Sequence, residues 1–141
     1  MRIVVDANVF ISALLKDSIT RRILKLPAFQ FYIPDHLLGE LDEHIEEISH
    51  RSGLNFEEIR ALIGGISREM IIVQTADYKH RLEDAKKLIA DMDDVPFMAL
   101  ALALGKDVAI WSADKDFTKQ KVVKIVSTGD LIRWLKERSF F

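Results

Sequence analysis

The chain is predicted to fold as an α/β sandwich around a mostly parallel sheet of about five strands. Three observations predict it. Short apolar runs rich in β-branched residues alternate with segments of helical periodicity from one end to the other. No repeat, low-complexity tract or linker divides the 141 residues, so 1–141 reads as one domain, and 49% hydrophobic residues suffice for its core. Acidic residues stand directly after apolar runs or at helix starts, where a β/α chain gathers side chains at one end of its sheet.

Arg2 to Val5 is an apolar run that ends at Asp6, and Ala7 to Leu15 then carries apolar residues at helical spacing, predicting a first strand and helix. A short helix starts at Ser18 or Thr20. Phe29 to Ile33 alternates as a second strand, and Pro34-Asp35 opens a helix over 35–51 that ends near Gly53. Asn55-Phe-Glu-Glu58 has the form of a capping box, in which Asn55 accepts from free helix N–H groups and Glu58 reaches back. The helix it starts, 56–63, is expected to break at Gly64-Gly65.

Met70 to Val73 is a β-branched third strand. Thr75 to Ala90 reads as one long amphipathic helix with Tyr78, Leu82, Ala85, Leu88 and Ile89 on its apolar face. Asp93-Asp94 opens an almost wholly apolar helix, with Pro96 just inside it and Gly105 closing it. A strand at 108–111, a turn of helix near 114–119, a strand at 122–126 and a helix from Thr128 to Arg138 complete the chain.

The bulk chemistry narrows the function. There is no cysteine, so thiol nucleophiles, disulfides and thiolate zinc sites are excluded, and any metal must be held by oxygen or imidazole. The formal charge of −2 lacks the basic footprint of a strong nucleic-acid binder; such contacts would be local, transient or metal-assisted. The longest apolar run, Val95 to Leu104, is about half of the roughly 20 residues that cross a bilayer. The first residues run straight into Asp6 without a signal-peptide core. A soluble, cytoplasmic protein with no membrane contact is expected.

Asp6 follows the first strand and Asp114 follows the fourth almost directly, so both belong on the carboxyl rim. The helix opened by Asp94 runs antiparallel to the strands, which puts its N-terminus on that rim too. Hard cations such as Mg²⁺ and Mn²⁺ take a few carboxylates together with water and substrate phosphate. Converging carboxylates repel one another, which raises their pKa values and makes a cation stabilising among them. A divalent-metal site and a hydrolytic function follow as expectations.

Each candidate also has an ordinary structural role open to it. Asp6 can cap the first helix, Asp94 or Asp93 the apolar one, with Asp93 the better cap or helper, and Asp114 or Asp116 the turn before Phe117. Spacing does not separate Glu40 from the acidic face formed by Asp35, Asp42, Glu43, Glu46 and Glu47. Asn8 and Ser112 flank the rim and are placed to orient a carboxylate or a water. His36 and His44 share a helix face with Glu40 but lack zinc-protease spacing and are expected in solvent. Arg21, Arg22 and Lys25, or Lys115, Lys119, Lys121 and Lys124, are available to phosphates, with solvated surface the default.

Taken together these segments resemble the PIN-domain nucleases over nearly the whole chain. Val4-Val5-Asp6-Ala7-Asn8-Val9-Phe10-Ile11-Ser12-Ala13 is similar to the family's opening segment, and Ser112-Ala-Asp114-Lys-Asp116-Phe117 to its closing one. The helix from Asp94 to Gly105 matches the central Asp-led helix, and Glu40 stands where the family's acidic residue after the second strand is expected. The resemblance implies a three-layer α/β/α sandwich with strand order 3-2-1-4-5 and frequent homodimers. It also implies Mg²⁺- or Mn²⁺-dependent cleavage of single-stranded RNA by Asp6, Glu40, Asp94 and Asp114, with Asp116 as ligand or helper. Many small prokaryotic members resemble the VapC-type toxins, whose partner is a small antitoxin protein; the Asp94-Val-Pro-Phe form departs from the commoner toxin helix. Two other readings stand beside it: a catalytically silent protein-binding module of the same fold, and a haloacid-dehalogenase-like phosphatase, which would need a second Asp where Asn8 stands.

Overall fold

The computed structural model describes residues 1–15 and 18–140. Five strands, β1 (Arg2–Val5), β2 (Gln30–Pro34), β3 (Met70–Val73), β4 (Val108–Trp111) and β5 (Lys124–Val126), form one sheet in the order 3-2-1-4-5. Every pairing is parallel, from Phe31 opposite Met70 to Trp111 opposite Val126. An all-parallel sheet needs both faces covered. Accordingly the central strands are closed to solvent, with Ile3, Val4, Val5, Ile110 and Trp111 fully buried.

One helical layer contains α1 (Ala7–Leu15), which packs with α2 (Ser18–Leu24), α4 (Ile45–Ser52) and α5 (Phe56–Ser67). The other centres on α8 (Val95–Leu104), which lies on β1, β2 and β4 and is flanked by α6 (Thr75–Tyr78) and α7 (Leu82–Leu88). α8 is apolar all round because sheet and neighbouring helices enclose it; Val95 and Phe97 through Leu102 are buried. α3 (Asp35–Glu43) leaves the end of β2, and α9 (Thr128–Glu137) sets Trp134 against Phe29 at 5.0 Å between ring centres.

Local signals explain most boundaries. The Asn55 and Glu58 capping box is present in both directions, and Ser127 with Asp130 makes another ahead of α9. Gly53 ends α4 at φ +74°, and Gly105 follows α8 at φ +88°, conformations that glycine adopts without a Cβ clash.

Four boundaries differ from expectation. The helix over 35–51 is two helices, α3 and α4, joined at His44; Leu37, Leu41, Ile45 and Ile48 are all buried in one continuous spacing, so periodicity did not reveal the break. α5 runs through Gly64-Gly65 to Ser67, because both glycines remain helical and the Arg68 amide bonds back to Gly64. The Thr75–Ala90 segment is divided by a 3₁₀ turn at Lys79–Arg81. Tyr78 Oη bonds to Asp35 on one side of this turn and Arg81 Nη1 to the Leu102 carbonyl on the other. β5 starts at Lys124 because the Gln120 amide oxygen takes the backbone N–H groups of Val122 and Val123.

Candidate active site

The chain passes from β1 outward to β2 and β3, then returns to β4 on the other side of β1. Where strand order reverses, the helices diverge and a crevice opens beyond the carboxyl ends of the strands. Asp6 leaves β1 at this point, and Ser112 and Asp114 leave β4 beside it.

Asp6 is buried, with 3% of its surface exposed. Its Oδ1 accepts the Val9 backbone N–H at 2.8 Å, the cap of α1, while its Oδ2 accepts Ser112 Oγ at 2.5 Å. Capping and membership of the cluster therefore coincide in one side chain. Burial raises its pKa most; Ser112 and the Val9 amide pull it down, and the charge of Asp114 pushes it up again. Asn8 contributes its backbone N–H to the same carboxyl, and its residue lies exposed.

Ser112 joins two carboxylate positions. Besides donating to Asp6, its Oγ accepts the backbone N–H of Asp114 at 2.9 Å. Asp114 Oδ1 then accepts the Asp116 amide at 2.9 Å and caps a 3₁₀ turn that Phe117, fully buried, pins to the core. Asp116 is ion-paired to Lys119 Nζ at 2.9 Å.

Asp94 differs from the others. It occupies the N-cap position of α8, yet no side chain there makes a capping hydrogen bond, and its Oδ2 is buried with no partner. The capping role open to Asp94 or Asp93 is not used. Burial, then the charges of Asp91, Asp114, Asp6 and Asp116, push the Asp94 carboxyl up to about 7. A buried oxygen with no donor, facing like charges, is where a cation or a proton is required.

Glu40 lies half-buried on α3, its pKa raised by burial and by the charge of Asp93 and held down by His36. Its Oε1 sits against His36 Nε2, although no donor is aligned on it as a hydrogen bond. Asp93, exposed before α8, thus acts on Glu40 by like-charge repulsion, which puts the start of α8 near α3.

Two further acidic residues, Asp91 and Asp35, bear on the same rim. Asp91 accepts the Asp93 amide at 2.9 Å and is the strongest charge acting on Asp94; the Asp-Met-Asp-Asp run was its only signal. Asp35 binds Tyr78 Oη at 2.7 Å and the Thr75 amide at 2.9 Å, joining α3 to α6 on the same rim. Among the cations considered for phosphate contact, Arg21 gives its guanidinium to the Ala13 and Leu14 carbonyls and Lys119 is held by Asp116. Lys115, beside Asp114, is exposed.

Hard oxygen donors, shared negative charge and the unpartnered Asp94 oxygen suit a hard divalent cation. Among the described residues, however, no three acidic or histidine side chains already stand close enough to enclose an ion.

A parallel 3-2-1-4-5 sheet with carboxylates gathered at its switch point is the arrangement of a PIN domain, and residues 4–133 match the PIN domain family. The chain belongs to that family, and the haloacid-dehalogenase reading gives way to it. No curated protein matches the sequence. Among solved structures the chain is similar to VapBC2 from Rickettsia felis bound to a DNA fragment from their promoter, at 16% identity and a TM-score of 0.64. That alignment covers 90% of this chain and 98% of the other. It is equally similar to VapBC-1 from nontypeable Haemophilus influenzae, at 16% identity and TM-score 0.65, covering 92% and 99%. The fold is VapC-like.

Proposed function

We propose that this protein is a metal-dependent ribonuclease that hydrolyses phosphodiester bonds of single-stranded RNA. The observation that carries the reading is the buried, unpartnered Oδ2 of Asp94 amid the charges of Asp6, Asp114 and Asp116. Asp6, Asp94 and Asp114 would hold Mg²⁺ or Mn²⁺, with Glu40 and Asp116 at its margin. When bound, the cation would supply Lewis acidity for water attack at phosphorus and neutralise charge on the phosphoryl oxygens.

The protein's own part is positioning. Ser112 holds one Asp6 oxygen and the Asp114 amide, so the ends of β1 and β4 keep a fixed spacing. Burial of Asp6 beneath α1 restricts water around it and strengthens its electrostatic interactions. With a formal charge of −2 and no net basic excess to grip a duplex, an exposed single strand is the substrate that such a local acidic crevice can engage through metal and backbone.

Membership of the PIN family and similarity to two VapBC structures support a role as the toxin of a toxin–antitoxin pair. A small antitoxin would then be its partner, in the cytoplasm, and the toxin itself would be a homodimer. Growth arrest on expression that disappears with Asp94→Asn tests the toxin role, and light scattering tests the dimer.

The direct experiment incubates the protein with unstructured RNA, with and without Mg²⁺ or Mn²⁺, beside Asp6→Asn. Metal-dependent cleavage by the wild type alone is expected. A catalytically silent binding module is the second reading, favoured by the absence of a preformed ion cage among the described residues. Equal inertness of both proteins, with and without metal and on several unstructured substrates, would overturn the ribonuclease reading and favour the binding module.

A further inference from the structure

Beside the carboxylates, on the same rim, is a small cleft of about 290 Å³ lined by Asp35, His36, Thr75, Tyr78, Leu82 and Pro96. It adjoins the site twice: His36 also touches Glu40, and Pro96 is in the first turn of the helix that Asp94 opens. None of the roles assigned to Asp6, Glu40, Asp94 or Asp114 uses it.

We propose that this cleft is a nucleobase subsite, receiving one base of the RNA strand next to the phosphodiester held at the carboxylates; the inference rests on the ribonuclease reading above. The volume lies below the roughly 300–1,000 Å³ of pockets for drug-sized ligands and suits a single flat heterocycle. Its lining supplies what a base needs. The His36 imidazole, 40% exposed, and the half-buried Pro96 and Leu82 offer stacking and apolar surface.

The polar groups further select the base. Asp35 accepts from four donors: the His36 amide, the Thr75 amide, the Thr75 hydroxyl and the Tyr78 hydroxyl. Its lone pairs are therefore engaged, and the carboxylate shapes the cleft without being a free acceptor. The same bonds commit the protons of both hydroxyls; Tyr78 is buried, so the exposed Thr75 Oγ1 is the one open to a ligand, and it retains only acceptor capacity. Acceptors favour a base edge that donates. Adenine, cytosine and guanine, each with an exocyclic amine, fit better than uracil, whose one edge donor, N3–H, is flanked by carbonyls.

The test separates binding from cleavage. Adenosine, cytidine and uridine 5′-monophosphates are titrated into the full chain in chelator, following the methyl resonances of Leu82 and Thr75 by NMR. AMP and CMP should shift both at lower concentration than UMP, and Leu82→Trp, which fills the cleft, should weaken the response about tenfold. Where Leu82→Trp does not fold, Leu82→Phe narrows the cleft by a smaller change and should weaken the AMP and CMP responses in the same direction. Uniform weak shifts for all three nucleotides, or shifts confined to other residues, overturn the subsite. RNA cleavage without cleft shifts sinks the subsite and leaves the ribonuclease. Cleft shifts in a protein inert toward RNA under Mn²⁺ uphold base binding and sink the ribonuclease.

Discussion

Ser112 Oγ donates to Asp6 Oδ2 at 2.5 Å, and through this bond the end of β4 holds the end of β1. The same hydroxyl accepts the Asp114 amide, so one small side chain orients two carboxylates that the chain delivers from distant segments. Ser112→Ala should cost about 1–3 kcal/mol of stability, since it leaves buried polar partners unsatisfied. The Ser112 bond lowers the Asp6 pKa, so its loss should move the acid limb of any activity profile to higher pH. Urea unfolding and a pH–rate profile check both; an unmoved acid limb would remove Ser112 from the site.

Asp94 makes the metal-free protein sensitive to pH in a definite direction. Its folded-state pKa of about 7 lies above the ordinary 3.8, so the folded form holds the proton more tightly than the unfolded chain does. That contribution is complete below about pH 4 and is lost as pH rises through 7. In chelator, the wild type should lose on the order of 1–2 kcal/mol from this group between pH 4 and 8, after allowance for its partial contact with solvent. Asp94→Asn should flatten the dependence and be the more stable protein at pH 8. Thermal melts across that range would show it.

Addition of a divalent cation should reverse the same penalty. At 100 times its dissociation constant, a ligand that binds only the folded state stabilises by about 2.7 kcal/mol. Mn²⁺ should therefore raise the wild-type melting temperature at pH 8 and leave an Asp6→Asn, Asp94→Asn double variant unmoved. Calorimetry with calcium-free buffers gives the comparison, and equal shifts in both proteins would place the ion elsewhere.

The Asp35 clamp should behave in the opposite sense. Burial resists its charge, but hydrogen bonds from Tyr78, Thr75 and the His36 amide outweigh burial and hold its pKa below the ordinary value. Its stabilisation is present above the ordinary carboxylate range and is lost as pH falls through the folded-state pKa. Tyr78→Phe should cost about 1.5–3 kcal/mol at pH 7, the range for a bond to a charged group, and less at pH 3.

Gly64 and Gly65 lie inside α5, and a Cβ at either meets nothing within 4 Å. Gly64→Ala or Gly65→Ala should stabilise the protein by about 0.5–1 kcal/mol each by restoring helix propensity. A loss of stability in chemical denaturation would mean that the helix needs the glycines.

Much of the candidate site was legible in the sequence because its placement depends on topology. Asp6 after an apolar strand, Asp94 before an apolar helix and Asp114 after another strand acquire a shared address as soon as the strands are parallel. Glu40 entered only through family resemblance, since α3 and α4 are rich in acids; it is half-buried where Asp42, Glu43, Glu46 and Glu47 are exposed, and Asp35, also half-buried, is engaged by Thr75 and Tyr78. Phe140-Phe141 is an apolar pair. Phe140 stacks on Trp134 at 6.3 Å within its own chain, and Phe141 lies outside the described residues.

The sequence by itself determined the alternation of strands and helices, the capping box at Asn55, the enclosed α8 and the rim that carries the carboxylates. These follow from periodicity, capping chemistry and the requirement that a parallel sheet be covered on both faces. Only the tertiary structure decided which carboxylates are spent on capping and which are left wanting a partner. Asp6 caps α1, Asp116 pairs with Lys119, and Asp94 keeps a buried oxygen without a donor. The first two are contacts over three residues, but the Ser112 bond to Asp6 and the burial and charge around the Asp94 oxygen come from residues brought together from distant parts of the chain, and no local spacing records them.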